Sequence, residues 1–409
     1  MTRWISLGPS YDTSIMRTIA VAGLVAGLAL GVTSPASAAV VGGDQLALPG
    51  VQINPVSTTV TPLAIKARTW ILADATTGEV LAAKKAHKTR PPASTLKTLT
   101  SLTLLPKLAL NGTFTATPKA ANADGAKVGL DVGQVYTIED LFYGLMLPSG
   151  NDAAIALAQA NGGIKSTVDQ MNAVAAQIQA NDTHALSPNG LDKPGQTSSA
   201  YDLALISRAA LQRNDFSTIV GSKRYRFPTK QSAGGGKHLI YNLNQLLTGD
   251  YRGVIGVKTG YTTKAGRTFV GAAKRKGHTL IFVGMGINDS SEGAAKQALD
   301  WGFANLKNVK AVGTLVEPLS PLPTAVPVAS QASAVEHIAV PVTPPPSSSP
   351  TLAADPVAQK AIKQAALKVP APSAQAPSFW LAVIVVLIIG IVLFAWNANR
   401  NRRRRRYRY

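Results

Sequence analysis

The nine residues Pro91–Leu99, "PPASTLKTL", place a serine three positions ahead of a lysine, directly behind Pro-Pro-Ala. Proline suits the first turn of a helix and little beyond it, so Ser94 is expected to open a helix through "STLKTLTSLTLL" (94–105). Residues three apart share a helix face, and the Lys97 amine can therefore reach back to the Ser94 hydroxyl. Two readings follow. Ser94 is a helix-start serine beside a solvated lysine, or it is a nucleophile beside its base.

Two more motifs stand downstream, in order. Ser149-Gly150-Asn151 lies in "MLPSGNDAAIALA", between two expected helices, and Lys258-Thr259-Gly260 lies in "GVIGVKTGYT", on an expected strand. S-x-x-K alone is weak, with roughly one or two chance matches in a chain of this length. S-x-N is as weak and recurs as Ser187-Pro188-Asn189, where "SPNGLD" reads as a Pro/Asn/Gly loop. K-T-G occurs once, against on the order of a tenth of a chance match. Singly, Ser94, Ser149 and Asn151 read as caps, Lys97 as a surface lysine, and Thr259-Gly260 as strand and turn residues. Together and in order, they are the motif set of the penicillin-recognising serine enzymes.

Around these motifs, "TWILADATTGEVLAAK" (69–84) alternates about Thr-Gly as a hairpin does. Helices are expected in 94–105, 137–147, 151–160, 166–180 and 199–213, with Thr137/Asp140 and Ser166/Asp169 as N-terminal caps. After Ser222 the pattern turns to strands at 223–229, 238–242, 253–260, 267–274 and 279–286, and a helix at 291–306 closes the domain. Strands, then helices, then strands and a helix predict an α+β domain: an antiparallel sheet carrying a terminal helix, with a helical insertion.

The chain has 409 residues, 46% of them hydrophobic, no cysteine, and a net charge of +20. Seven arginines between Arg400 and Arg408 supply much of that charge. They follow "FWLAVIVVLIIGIVLFAW" (379–396), uncharged and long enough as a helix to span roughly 27 Å, near the thickness of a bilayer core. Flanking tryptophans and trailing arginines predict a single-pass transmembrane helix (378–397) with a cytoplasmic Arg-rich tail (398–409), not a nucleic-acid site. At the other end, Arg17, an apolar run and "TSPASA" form a secretory signal (1–38). Between them a catalytic domain is expected over 39–312 and a disordered Pro/Ala/Ser-rich stalk over 313–377. The expected location is the outer face of a bacterial cytoplasmic membrane, with the core stabilised without disulfides.

The chain resembles the D-alanyl-D-alanine carboxypeptidases, the low-molecular-mass penicillin-binding proteins. Besides the three motifs the likeness includes "ADATTGEVL", "LSPNGLD", "TSSAYDLALISR", "YNLNQLL" and "GVKTGYTTKAGRTF". It implies the β-lactamase/transpeptidase-like fold, with helices on both faces of the sheet. It also implies removal of the terminal D-alanine from peptidoglycan stem pentapeptides, penicillin and other β-lactams as covalent inhibitors, and no metal or organic cofactor. Carried over by position, Ser94 is the nucleophile, Lys97 its base, and Ser149 a proton relay. Asn151 holds substrate amide and lysine, while Lys258 and Thr259 meet the substrate carboxylate. Gly260 lets substrate lie against the strand, and the backbone N–H groups of Ser94 and Tyr261 form the oxyanion hole.

Rival chemistries find little support. The five histidines lack metal-ligand spacing, and no G-x-S-x-G elbow occurs. A serine β-lactamase of the first class deacylates with a glutamate between the second and third motifs, where this chain has none. Two departures from the family stand out. Many members carry an arginine after the strand equivalent to "LIFVGMG", but here no arginine follows before Lys296. The family's separate C-terminal β-domain is also missing. A D,D-endopeptidase or transpeptidase shares the same acyl-enzyme, and a catalytically silent wall-binding module is the reading from another class.

Overall fold

Thr76-Thr77-Gly78 turns the chain between the first two long strands, Gly78 taking a φ of 84° that favours glycine. The computed structural model describes residues 39–323 and Met1. The expected signal segment, the apolar run 379–396 and the arginine tail lie outside the described residues. Among the described residues no helix is long and apolar enough to cross a membrane.

The strands are β1 (Ala67–Asp74), β2 (Glu79–Lys84), β3 (Arg224–Pro228), β4 (Lys237–Tyr241), β5 (Val254–Thr262), β6 (Gly266–Arg275) and β7 (His278–Ile287). The helices are α1 (Lys97–Leu104), α2 (Ile138–Met146), α3 (Asn151–Ala160), α4 (Ile164–Gln177), α5 (Ala200–Leu211), α6 (Asn214–Gly221) and α7 (Ser291–Asn305). The main sheet is antiparallel and runs Val51–Gln52, β2, β1, β7, β6, β5, with Gly313–Thr314 pairing to β2 as well. β5, which carries Lys-Thr-Gly, is therefore an edge strand, and β3 and β4 form a separate hairpin.

Strand alternation gives the sheet two apolar faces. Trp70, Leu72, Phe269 and Phe282 pack beneath Ala295, Ala298 and Leu299 of α7. Gly302 permits that approach, because a Cβ there would stand 2.7 Å from Leu280 and 2.9 Å from Leu72. The other face, with Ile71, Val270, Val283 and Met285, packs against the helices of the insertion. The expected α+β architecture with helices on both faces is thus observed.

Local differences have physical causes. Thr137 and Asp140 form the expected capping box, but Ser166 caps nothing. α4 begins two residues earlier, behind Gly163, and Ser166 instead accepts from Gln170 at 3.0 Å. Helix α6 is not expected from the sequence, being only eight residues long with the β-branched Thr218-Ile219-Val220 before its final Gly221. The folded body also runs past the boundary expected at Val312. Gly313–Thr314 joins the sheet, Leu315 is buried, and Arg213 donates to the Pro323 carbonyl at 2.9 Å.

The two ends of this body meet at Tyr201, the second residue of α5. Its hydroxyl donates to Thr314 O at 2.8 Å and accepts from Val316 N at 3.2 Å, while Thr314 N donates to Gly42 O at 2.8 Å. His87 lies against the Tyr201 ring with centroids 4.4 Å apart. Its Nδ1 is 2.8 Å from the Asp182 carboxylate and its Nε2 is 3.0 Å from Val41 O.

Candidate active site

Ser94 does not open α1 but sits in a 3-10 turn, Ala93–Leu96, that leads into it. No side chain caps this turn, so the cap reading of Ser94 fails. The turn is clamped at Pro92, whose carbonyl accepts from Thr95 at 2.6 Å and from Thr268 of β6 at 2.9 Å. Beneath it, Gly190 packs so closely that a Cβ would lie 2.0 Å from Ala93 O. Beside it, a Cβ on Gly260 would lie 2.4 Å from Thr268 Oγ1 and 2.9 Å from Ser94 N. Gly260 therefore makes room for the serine's own backbone, a different reason from the expected clearance for substrate.

Lys97, fully buried at the start of α1, has its Nζ within hydrogen-bond distance of three oxygens: Ser94 Oγ at 3.0 Å, Asn151 Oδ1 at 2.7 Å and Asn189 O at 2.6 Å. Asn151 Nδ2 in turn donates to Asp124 O at 2.6 Å, which orients the amide so that its oxygen faces the lysine. Burial pushes the Lys97 pKa well below its ordinary value, the Lys258 charge pushes the same way, and Asp152 opposes them. A neutral amine has two N–H bonds and one lone pair. Two of its three partners, the amide oxygen and the carbonyl, can only accept. The lone pair is left to the Ser94 hydroxyl, the orientation a general base requires.

Ser149 occupies the loop between α2 and α3 with φ at 67°, and its buried Oγ has no hydrogen-bond partner. A strained backbone and an orphan hydroxyl each cost free energy, and both are retained beside the lysine-binding Asn151. Asp152 is committed to structure: its carboxylate accepts from the N–H groups of Val128, Gly129 and Leu130 at 2.9, 2.7 and 3.1 Å.

Lys258 is 1% exposed, and burial lowers its pKa to about 7. Its Nζ donates to Thr259 O at 3.1 Å. Alternation along β5 sends Lys258 and Gly260 toward the serine turn and Thr259 and Tyr261 the other way. Among the described residues no hydrogen bond ties Thr259 or Tyr261 to Ser94, Lys97 or Asn151. The structure thus brings together Ser94, Lys97 and Asn151, with Gly260 against the turn. Sequence reading missed Asn189, because a carbonyl leaves no signature in residue type. The Pro/Asn/Gly loop is a loop as expected, but it carries one acceptor of the lysine.

Three potential metal ligands, from His87, Asp182 and Asp202, lie within 4.8 Å of one another. Both ring nitrogens of His87 already face oxygens of Asp182 and Val41, so a metal on this ring would have to displace one of those contacts.

This buried Ser/Lys/Asn constellation, set between an antiparallel sheet and a helical insertion, defines a penicillin-binding, transpeptidase-like serine enzyme. The family model for D-alanyl-D-alanine carboxypeptidase matches residues 56–289, and the chain belongs to that family of serine D-Ala-D-Ala carboxypeptidases. It is 43% identical over 257 residues to D-alanyl-D-alanine carboxypeptidase DacB2 of Mycobacterium tuberculosis, covering 61% of this chain and 86% of that one. It is 35% identical to DacD of Escherichia coli over 61% of this chain and 66% of that one. Among solved structures, a D-alanyl-D-alanine carboxypeptidase of Mycobacterium tuberculosis superposes with a TM-score of 0.60 at 40% identity, covering 64% of this chain and all of that one. The Streptomyces K15 DD-transpeptidase gives a TM-score of 0.57 at 31% identity, over 60% of this chain and all of that one.

Proposed function

We propose that this enzyme removes the terminal D-alanine from peptidoglycan stem pentapeptides through an acyl-enzyme on Ser94. The observation that carries the reading is the Lys97 amine, with two hydrogens taken by obligate acceptors and Ser94 Oγ at 3.0 Å. Lys97 accepts the Ser94 proton as Oγ attacks the carbonyl of the D-Ala-D-Ala bond, and the Ser94 and Tyr261 N–H groups stabilise the oxyanion. Collapse breaks the C–N bond, and the proton passes by way of the Ser149 hydroxyl to the departing D-alanine amine. Water, deprotonated by Lys97, then releases the shortened peptide. Lys258, on the serine side of β5, meets the leaving carboxylate; Thr259, expected to share that contact, points to the other face of the strand.

A β-lactam acylates the same serine but leaves its amine tethered. With no glutamate between Asn151 and Lys258, and Asp152 held by backbone N–H groups, the penicilloyl ester persists and penicillin inhibits. The domain works outside the cell, led there by the signal at 1–38. The stalk and the apolar run 379–396 tether it to the membrane, with the arginine tail in the cytoplasm.

Incubation of the full chain with labelled penicillin tests this: one covalent label per chain, absent in Ser94→Ala, is expected. An unlabelled parent would overturn the acyl-enzyme. Release of free D-alanine from a pentapeptide, set against product formation with an added amine acceptor, separates hydrolysis from the transfer that the name of the Streptomyces K15 relative records.

A further inference from the structure

The β3–β4 hairpin stands apart from the main sheet, and its two faces differ in kind. Inward, Phe227 and Ile240 are buried. Tyr225 stacks on Tyr143 of α2 with ring centroids 3.8 Å apart, and its hydroxyl donates to Asp140 at 2.8 Å. Alternation then sends Arg224 and Arg226 outward on one strand, and Lys237, Leu239 and Tyr241 outward on the other. The register sets Arg224 across from Tyr241 and Arg226 across from Leu239. Cations and apolar groups are therefore interleaved on one exposed surface.

This surface is cationic without compensation. No aspartate or glutamate occurs between Asp215 and Asp250. Among the described residues Arg224, Arg226 and Lys237 enter no ion pair, while the adjoining Lys223 is taken by Asp250. It is also apolar: Leu239 is 39% exposed, Tyr241 58%, and Leu243, which continues the alternation past the strand, 52%. Apolar side chains in water and unpaired like charges are both unfavourable, and an anionic bilayer surface relieves both. Phosphate headgroups meet the cations, and the acyl boundary takes tyrosine and leucine. A soluble polyanion would answer the charge and leave the leucines in water. The packed inner face keeps the ribbon in shape, so docking has little to order. At its base Leu243 N donates to Leu147 O at 3.2 Å, two residues before Ser149, so a docked ribbon also sets how the Ser149 loop lies relative to the bilayer.

We propose that the outer face of the β3–β4 hairpin docks the catalytic domain on anionic phospholipid headgroups. This rests on the proposed placement of the domain outside the cell beside a bilayer, and the test reads the hairpin independently of any anchor. The chain has no cysteine, so Leu243→Cys carries a single environment-sensitive fluorophore. The full chain, assembled into phosphatidylcholine nanodiscs that occupy its apolar run, is titrated with separate vesicles. Mixed phosphatidylglycerol–phosphatidylcholine vesicles should shift the emission to the blue, reversibly with added salt, and pure phosphatidylcholine vesicles should not. Arg224→Gln and Arg226→Gln should each raise the lipid concentration at half response about fivefold, and Leu239→Ser should raise it with the charge unchanged. Unchanged penicillin labelling in each variant checks the fold. No response to anionic vesicles would overturn the docking, and an equal response to neutral vesicles would overturn the role of the cations. Saturation by soluble polyglutamate, with Leu239→Ser behaving as the parent, would assign the face to a polyanion and overturn the lipid. Failure of penicillin to label the parent would strike the acyl-enzyme and leave the vesicle titration standing.

Discussion

At the scale of single residues, charge at two buried lysines decides the chemistry. Lys97 must be neutral to take the Ser94 proton, and its pKa lies well below the ordinary lysine value. Lys258 must be charged to attract a carboxylate, and its pKa is about 7. Acylation, followed as kcat/KM against pH, should rise as pH climbs past the depressed Lys97 value and fall again near 7 as Lys258 loses its proton. Lys258→Gln should remove the alkaline limb. It should also move the acidic limb to higher pH, because Lys97 is freed of a neighbouring positive charge. An alkaline limb unchanged in that variant would show that Lys258 is not the group titrating. Lys97→Met should cost on the order of a thousandfold in acylation, within the range for general-base removal. Circular dichroism would check that the variant still folds.

At the scale of elements, the site is a matter of close backbone approach, and glycine marks each approach. Gly260→Ala would press a methyl group against Thr268 Oγ1 and the Ser94 amide. We expect a loss of about 1–3 kcal/mol in stability by denaturant titration and at least roughly a hundredfold in acylation, as for a lost oxyanion donor. A variant that acylates normally would show that the turn tolerates displacement. Much of this was legible beforehand. The ordered spacing of serine, lysine and asparagine points to Ser94, Lys97 and Asn151, which the structure brings into hydrogen-bond contact. What escaped was carried by backbone or by topology. Asn189 contributes a carbonyl that other residue types could also supply. Helix α6 hid because its eight residues are too few to show a period.

At the scale of the whole molecule, His87 governs how the ends are held. Burial opposes its charge, but the Asp182 hydrogen bond and charge, helped by Val41 O and Asp202, outweigh burial and raise its pKa. Oxygen acceptors at both nitrogens favour the charged ring, in the direction of the raised pKa. The folded pKa exceeds the unfolded value of about 6.5, so this stabilisation is complete below that value and lost as pH rises through the folded one. Asp202, pushed up to about 7 first by burial and then by Asp182, has the same sign. Its contribution is full below the ordinary carboxylate range and gone above about 7. The melting temperature should therefore fall as pH is raised from acid through neutrality, and His87→Gln should flatten the upper part of that fall. A melting temperature that climbs over the same interval would contradict the assignment.

The junction at Tyr201 has a mechanical consequence. Thr314 and Gly42 are bonded to each other before either strand of chain reaches the sheet's interior. A pull on the two ends meets one hydrogen bond, from Thr314 N to Gly42 O, while the Tyr201 hydroxyl holds Thr314 and Val316, all of it away from the serine turn. Stretching the folded body by its two ends should therefore separate Gly42 from Thr314 before it displaces the serine turn.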